Sequence, residues 1–364
     1  MFSREYKRSL IGLACVFSVT GLFIAYRNRI FKGRSIHELY LNSSFLATGG
    51  YETTYRPKTL FDAEDIRLLV QPKADPILSG DGAGEELYTL LAPTSESKSE
   101  EMPADGKKIS PITVKGSSSQ LLWKDVYIKN PTSFKIDPAV IAARKKAFTL
   151  TPDKPQILII HTHGSESYNT HGGGWYLPSD SSRSLDNTQN MVAVGAVLAK
   201  TLTEAGYNVL HSTTLYDQPT YSTSYSSALK GINAYLKKYP SIQMVIDVHR
   251  DAMSATDGTK YKLISRQNGE DCAQMMLVMG TGESGLSFPN WKDNLSFAIR
   301  LQQAILEKYP TLMRPISITR HRYNEHATPA SMILEVGTDG NLLSEACTAV
   351  RYFGSVLGEV LKDY

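Results

Sequence analysis

The stretch that most restricts the fold is an apolar run, Gln156-Ile157-Leu158-Ile159-Ile160, that ends abruptly in His161-Thr162-His163-Gly164-Ser165-Glu166-Ser167-Tyr168. A continuous apolar run of this length is what a strand buried on both faces requires. In α/β proteins, chemistry gathers on the loops that leave the C-terminal ends of such strands. Two further runs behave alike. Met244-Val245-Ile246-Asp247-Val248-His249-Arg250-Asp251 delivers a histidine, and Ser331-Met332-Ile333-Leu334-Glu335-Val336-Gly337 delivers a glutamate followed by glycine. Three strands ending in His or Glu predict one site at one edge of one sheet.

Between these runs the helical signals recur. Asp137-Pro138 is a capping side chain with proline at the first helical position, predicting a helix over 139–148. Amphipathic spacing predicts helices over 188–205, stopped by Gly206, and over 226–239, 290–309 and 342–361. Strands are expected at 126–130, 207–210, 244–248, 261–264, 275–280 and 331–336. Strands alternating with helices from residue 155 onward predict an α/β fold with a mostly parallel sheet flanked by helices.

The chain has 364 residues, enough for one domain with appendages. Its formal charge of +3 gives no electrostatic case for nucleic acid binding. With 3 cysteines there is no disulfide framework; Cys272 and Cys347 read as free buried thiols. Ser9 to Tyr26 carries no charge and is flanked by Arg4, Lys7 and Arg8 before it and by Arg27 and Arg29 after it. This is near the ~20-residue length of a membrane-spanning helix. No small-residue cleavage site follows, so the segment reads as a retained transmembrane anchor with the bulk of the chain outside the cytoplasm. The expected organisation is a cytoplasmic segment at 1–8, the anchor at 9–26, a juxtamembrane region and linker at 27–119, and a catalytic domain at 120–364. Within the juxtamembrane region, short helices are expected at 35–41 and 62–70. The stretch 93–119, rich in Ser, Lys, Glu, Pro and Gly, reads as a linker.

The chemistry points to a metal. Zinc suits imidazole and carboxylate ligands, and a catalytic site keeps an open position for water. His163, Glu166 and His249 supply the ligand types of such a site. Glu335 is then the base for the bound water, and Arg250 the cation that polarises the bond under attack. A carboxylate inside an apolar strand is costly unless it is paired or bound, which singles out Glu335 and Asp247. Asp247 is read as the group that orients His249. His161 and Asp186 remain alternative ligands. A serine hydrolase reading of Ser165 or Ser167 lacks the G-x-S-x-G turn, and Gly280-Thr281-Gly282 lacks the lysine of a phosphate loop.

His163-Gly-Ser-Glu166-Ser-Tyr168, Asp247-Val-His249-Arg-Asp251, Asn294-Leu-Ser-Phe-Ala298 and Leu334-Glu-Val-Gly337 with Asp339 and Asn341 together resemble the stage II sporulation protein P family. The resemblance covers roughly 120–364 and extends to the N-terminal anchor. Asn130-Pro131 stands where the family often has Asn-Glu, and the loop over 179–186 also departs from the family pattern. The resemblance implies a fold similar to zinc N-acetylmuramoyl-L-alanine amidases (phosphorylase/hydrolase-like) and a Zn2+ cofactor. It further implies a membrane-anchored peptidoglycan amidase, also credited with endopeptidase action, that thins the septum during engulfment. The partners implied are peptidoglycan, the membrane and the stage II sporulation proteins D and M. A zinc carboxypeptidase-like peptidase and an inactive wall-binding scaffold are the alternative expectations.

Overall fold

The computed structural model describes residues 101–364 except position 173. In chain order the elements are β1 (Lys107–Ile112), β2 (Leu121–Trp123), β3 (Val126–Lys129), α1 (Pro138–Ala142), β4 (Ile157–Ile160) and β5 (Trp175–Tyr176). They continue with α2 (Met191–Glu204), β6 (Val209–His211), α3 (Ser224–Lys238), β7 (Met244–Asp251), β8 (Lys260–Gln267) and β9 (Glu270–Ala273). The last are β10 (Met275–Gly280), α4 (Trp291–Lys308), β11 (Ile316–Thr319), β12 (Met332–Thr338) and α5 (Leu343–Leu361).

The Ile157–Ile160 run is buried at every position because both of its faces are covered. Ile157 and Ile159 join the large core formed with Leu198 and Leu202 of α2, Leu295 and Ile299 of α4, and Val350 and Phe353 of α5. Leu158 and Ile160 point the other way, into a smaller core with Val245 and with Ala228 and Ile232 of α3. This two-sided burial explains why the sequence runs apolar rather than alternating. Helix α1 starts where Asp137 caps it, its carboxylate accepting from the Ala139 and Val140 amides at 2.9 and 3.3 Å. It ends at Ala142, well short of residue 148. Phe148 instead turns into the core, against Phe297 at 5.4 Å and Tyr364 at 4.5 Å between ring centres.

The larger sheet among the described residues has the order β2-β3-β11-β10-β12-β7-β4-β6, and a second sheet has the order β5-β1-β8-β9. The expected mostly parallel sheet is corrected to mixed sheets. β12, β7, β4 and β6 run parallel, but β10 is antiparallel to β12, β2 to β3, β8 to β9 and β1 to β5. The cause is the connection after β7. Parallel neighbours need a long crossover, usually a helix. Here the chain leaves β7 into the β8–β9 hairpin and re-enters the sheet reversed as β10. Strand β1 lies inside the stretch read as a linker and runs parallel to β8. It escaped notice because only Ile109 of its six residues is buried.

No helix among the described residues is long and apolar enough to cross a membrane. The expected transmembrane helix and single-pass membrane localisation are corrected to that extent. The anchor placed at 9–26, the segment 1–8 and the helices placed at 35–41 and 62–70 all lie outside the described residues.

Register along β12 shifts between Glu335 and Thr338. Gly337 sits in the shift at φ +62°, in the left-handed region that favours glycine. A Cβ there would lie 2.7 Å from Asn341 Oδ1 and 2.9 Å from Ala273 Cβ. Asn341 Oδ1 accepts from the Thr338 and Leu263 amides at 2.9 and 3.0 Å, so the bulge ties β12 to the second sheet. Gly337→Ala is expected to destabilise the fold by about 2 kcal/mol in urea unfolding. An unchanged midpoint would contradict this role for the bulge.

Candidate active site

The register of three strands builds the site. Residues opposite each other on parallel neighbours share a face, and so do residues two apart along one strand. Ile160 pairs with Asp247, Ile333 with Asp247, and Glu335 with His249. Asp247, His249 and Glu335 therefore lie on the face that α3 covers further back at Leu158 and Val245. Beyond that cover, apolar side chains give way to titratable ones that are still buried: Asp247 is 4 % exposed, His249 1 % and Glu335 4 %.

Carboxylates stand against both ring nitrogens of His249. Nε2 is 3.0 Å from Asp247 Oδ1, and Nδ1 is 3.7 Å from Glu166 Oε2. Burial pulls the imidazolium down, but Asp247 and Glu166 overcome it and hold the His249 pKa well above its ordinary value. Burial would raise Glu166, yet His249 and Arg250 bring it down to about 2. Asp247 is also lowered against its burial, by His249 and by hydrogen bonds from the Thr162 amide at 2.8 Å and hydroxyl at 2.6 Å. Glu335 behaves in the opposite way. Burial pushes it up to about 8, with the charges of Asp251 and Glu166 adding to the rise and His249 only partly offsetting it. Its buried Oε2 has no hydrogen-bond partner. One carboxyl thus stays protonated at neutral pH beside an imidazolium, between two carboxylates that stay ionised.

The loop after β4 is held by its own polar groups. Thr162 ties it to Asp247. The Ser165 amide and hydroxyl donate to Asp217 Oδ2 at 3.1 and 2.5 Å, and Arg183 Nη1 reaches the same oxygen at 3.2 Å. Ser165 is thereby engaged by Asp217 and Arg183. Arg250 is buried and gives its donors to the Ser167, Ser182 and Asp251 carbonyls at 2.8, 2.7 and 3.3 Å. It clamps two arms of the site loop and supplies positive charge next to Glu166.

His163 is buried, its pKa lowered to about 4 by burial and by the charge of His249. It lies 5.3 Å from His249 between ring centres, stacks on Tyr221 at 4.3 Å and meets Tyr225 edge-on at 5.4 Å. The alternative ligands fall elsewhere. His161 points into the core, with Nε2 2.9 Å from His211 Nε2 and Nδ1 3.1 Å from the Val248 carbonyl. A Cβ on Gly195 of α2 would come within 2.3 Å of that ring, so the histidine pair depends on glycine there. Asp186 is exposed and closes a local turn on the Thr188 amide and hydroxyl.

The zinc expectation is corrected. Among the described residues, no group of three or more His, Cys, Asp or Glu side chains is disposed to hold a metal ion. His163, Glu166 and His249 do meet, with His249 between Asp247 at 3.0 Å and Glu166 at 3.7 Å and its ring 5.3 Å from that of His163. With the ligand set go the zinc-dependent amidase and the zinc carboxypeptidase-like alternative. No described contact supports the membrane, peptidoglycan or the stage II sporulation proteins D and M as partners.

Sequence reasoning missed Tyr221 and Tyr225, which wall His163 and His249, and Tyr323, which backs Tyr225. The signal was present: Tyr221 and Tyr225 are four apart at a helix start, a spacing that puts both on one face. Asp217, Arg183 and Glu325 carried no such signal, because only the fold brings them in. Glu325 is buried at the start of a short 3-10 helix, Glu325–Ala327, and accepts from the Gly280 and Ile333 amides.

The sequence profile of Stage II sporulation protein P (SpoIIP) matches residues 83–358. The Stage II sporulation protein P of Bacillus subtilis (strain 168) is 25 % identical over 224 residues, covering 58 % of this chain and 53 % of that protein. The chain thus spans about half the length of that curated relative. Among solved structures, N-acetylmuramoyl-L-alanine amidase AmiC2 of Nostoc punctiforme overlaps at a TM-score of 0.34 and 11 % identity, over 59 % of this chain and 98 % of that one. The CwlD amidase from Clostridioides difficile in complex with the GerS lipoprotein overlaps at 0.35 and 12 % identity, over 57 % and 98 %. At these scores the overlap bears on neither fold nor chemistry.

The raised Glu335 pKa has a consequence for stability. The folded chain keeps a proton on Glu335 up to about pH 8, whereas an ordinary carboxyl releases it near 4.5. Stability is therefore lost as pH rises through that window, by about 1.4 kcal/mol per unit from this group. Urea unfolding of Glu335→Gln between the two values should show the variant gaining on the wild type with each step in pH. Parallel curves would contradict the raised pKa.

Proposed function

Because the chain belongs to the stage II sporulation protein P family, we propose that it is a hydrolase working in the peptidoglycan context of sporulation, through proton transfer at the His249–Glu335 pair. The observation that carries this reading is the buried carboxyl of Glu335, its Oε2 without a hydrogen-bond partner, raised to about 8 and set in register beside His249. Neighbouring groups whose environments drive their proton affinities apart are the mark of an acid–base site. The expected catalytic region at 120–364 carries the reaction, with β1 bonded onto it through β8.

In this mechanism Glu335, once ionised, takes a proton from the attacking water. The His249 imidazolium, kept charged by Asp247 and Glu166, gives a proton to the leaving group. Asp247 orients His249 and is itself fixed by Thr162. Arg250 holds the loop that carries Glu166 and balances its charge. The burial of the pair excludes bulk water, which strengthens each of these interactions.

The full-length chain assayed on purified peptidoglycan should release soluble fragments at a rate that rises with pH until about 8, where Glu335 becomes ionised. Glu335→Gln should lower that rate by about 100-fold or more without lowering the melting temperature. Equal rates for the wild type and the variant would overturn the reading.

A further inference from the structure

Tyr225 stands in the first turn of α3 with its ring edge-on to His163 at 5.4 Å and parallel to His249 at 6.4 Å. Tyr323 lies behind it at 5.1 Å. The Tyr225 hydroxyl is buried and has no hydrogen-bond partner. It feels the charges of Asp247, Glu335 and Glu166, which places it in the same buried cluster as the proton-transfer pair.

Burying a hydroxyl without a partner is costly, and a phenylalanine of the same shape would avoid that cost. Tyr221 makes the contrast clear: it stacks on His163 and lies under the Arg183 guanidinium, 4.4 Å from its ring centre. The Tyr225 hydroxyl has no such role within the chain. It is a buried donor within the electrostatic reach of Asp247, Glu335 and Glu166.

We infer that the Tyr225 hydroxyl donates a hydrogen bond to the substrate oxygen that gains negative charge as water attacks. This rests on the hydrolytic reading above and adds a residue to it. A neutral donor suits the task, since burial also holds the phenol protonated well past its ordinary range. The donor is fixed in advance by the ring contacts to His163, His249 and Tyr323, so little reorganisation is needed when charge develops. Bound substrate would satisfy the hydroxyl that the free chain leaves unpaired.

The test compares wild type, Tyr225→Phe, Tyr225→Leu and Glu335→Gln, all full length, on purified peptidoglycan. Tyr225→Phe removes one oxygen and keeps the ring. It should lower kcat by about 100-fold and leave KM within about 3-fold, the pattern of an interaction made mainly in the transition state. Its melting temperature should equal or exceed that of the wild type, while Tyr225→Leu should melt lower because the ring contacts go. If Glu335→Gln is inactive and Tyr225→Phe keeps the wild-type kcat, the inference is overturned and the hydrolytic reading stands. A Tyr225→Phe chain that loses activity only together with a fall in melting temperature overturns it as well. If Glu335→Gln turns over as fast as the wild type, both fail.

Discussion

Everything at the site follows from the pairing of β7 and β12. Parallel register sets Glu335 opposite His249 and Ile333 opposite Asp247, so a single face carries two carboxyls and an imidazole. Asp247 and Glu166 then take the two nitrogens of His249. Once that imidazole is committed to its ionised partners, Glu335 is left without a hydrogen bond to Oε2, in surroundings that favour its neutral form. The bulge at Gly337 shifts this pairing, which resumes with Thr338 opposite Asp251, and Asn341 beside it joins β12 to the smaller sheet.

The charge balance of the cluster also explains its architecture. An imidazolium and a guanidinium, His249 and Arg250, offset Glu166 and Asp247 within one buried volume. Buried ions are tolerable only when paired and hydrogen-bonded, and a lone survivor is strongly destabilising. Arg250 meets this condition through backbone carbonyls on both arms of the site loop, and Asp247 through Thr162. The loop after β4 is therefore held by the same interactions that set the proton affinities. Stability and chemistry are not separable here.

The sequence revealed the strands that carry the site but not how they are used. The apolar runs ending at His161, Asp247 and Glu335 were legible because burial on both faces leaves no polar positions to confuse the pattern. The three strands do converge, and His163, Glu166 and His249 do meet. What residue types could not reveal was protonation. A His-Glu-His set reads the same in sequence whether its imidazoles are neutral or charged, and only the fold sets Asp247 and Glu166 on either side of His249. Strand direction was equally hidden. The β8–β9 hairpin reverses the chain before β10, and nothing in the apolar pattern of Met275–Gly280 distinguishes a parallel strand from an antiparallel one. His161 looked equivalent to His163 by alternation, yet the glycine at 195 lets it turn inward to His211.

The protonation of Glu335 is the point on which the chemistry turns, and it can be read directly. Carbon-13 labelling of the glutamate carboxyls, followed by NMR titration of the wild type and Glu335→Gln, assigns the signal by its absence from the variant. That signal should titrate near pH 8. A Glu335 carboxyl that titrates close to the ordinary 4.5 would contradict the acid–base site built on it.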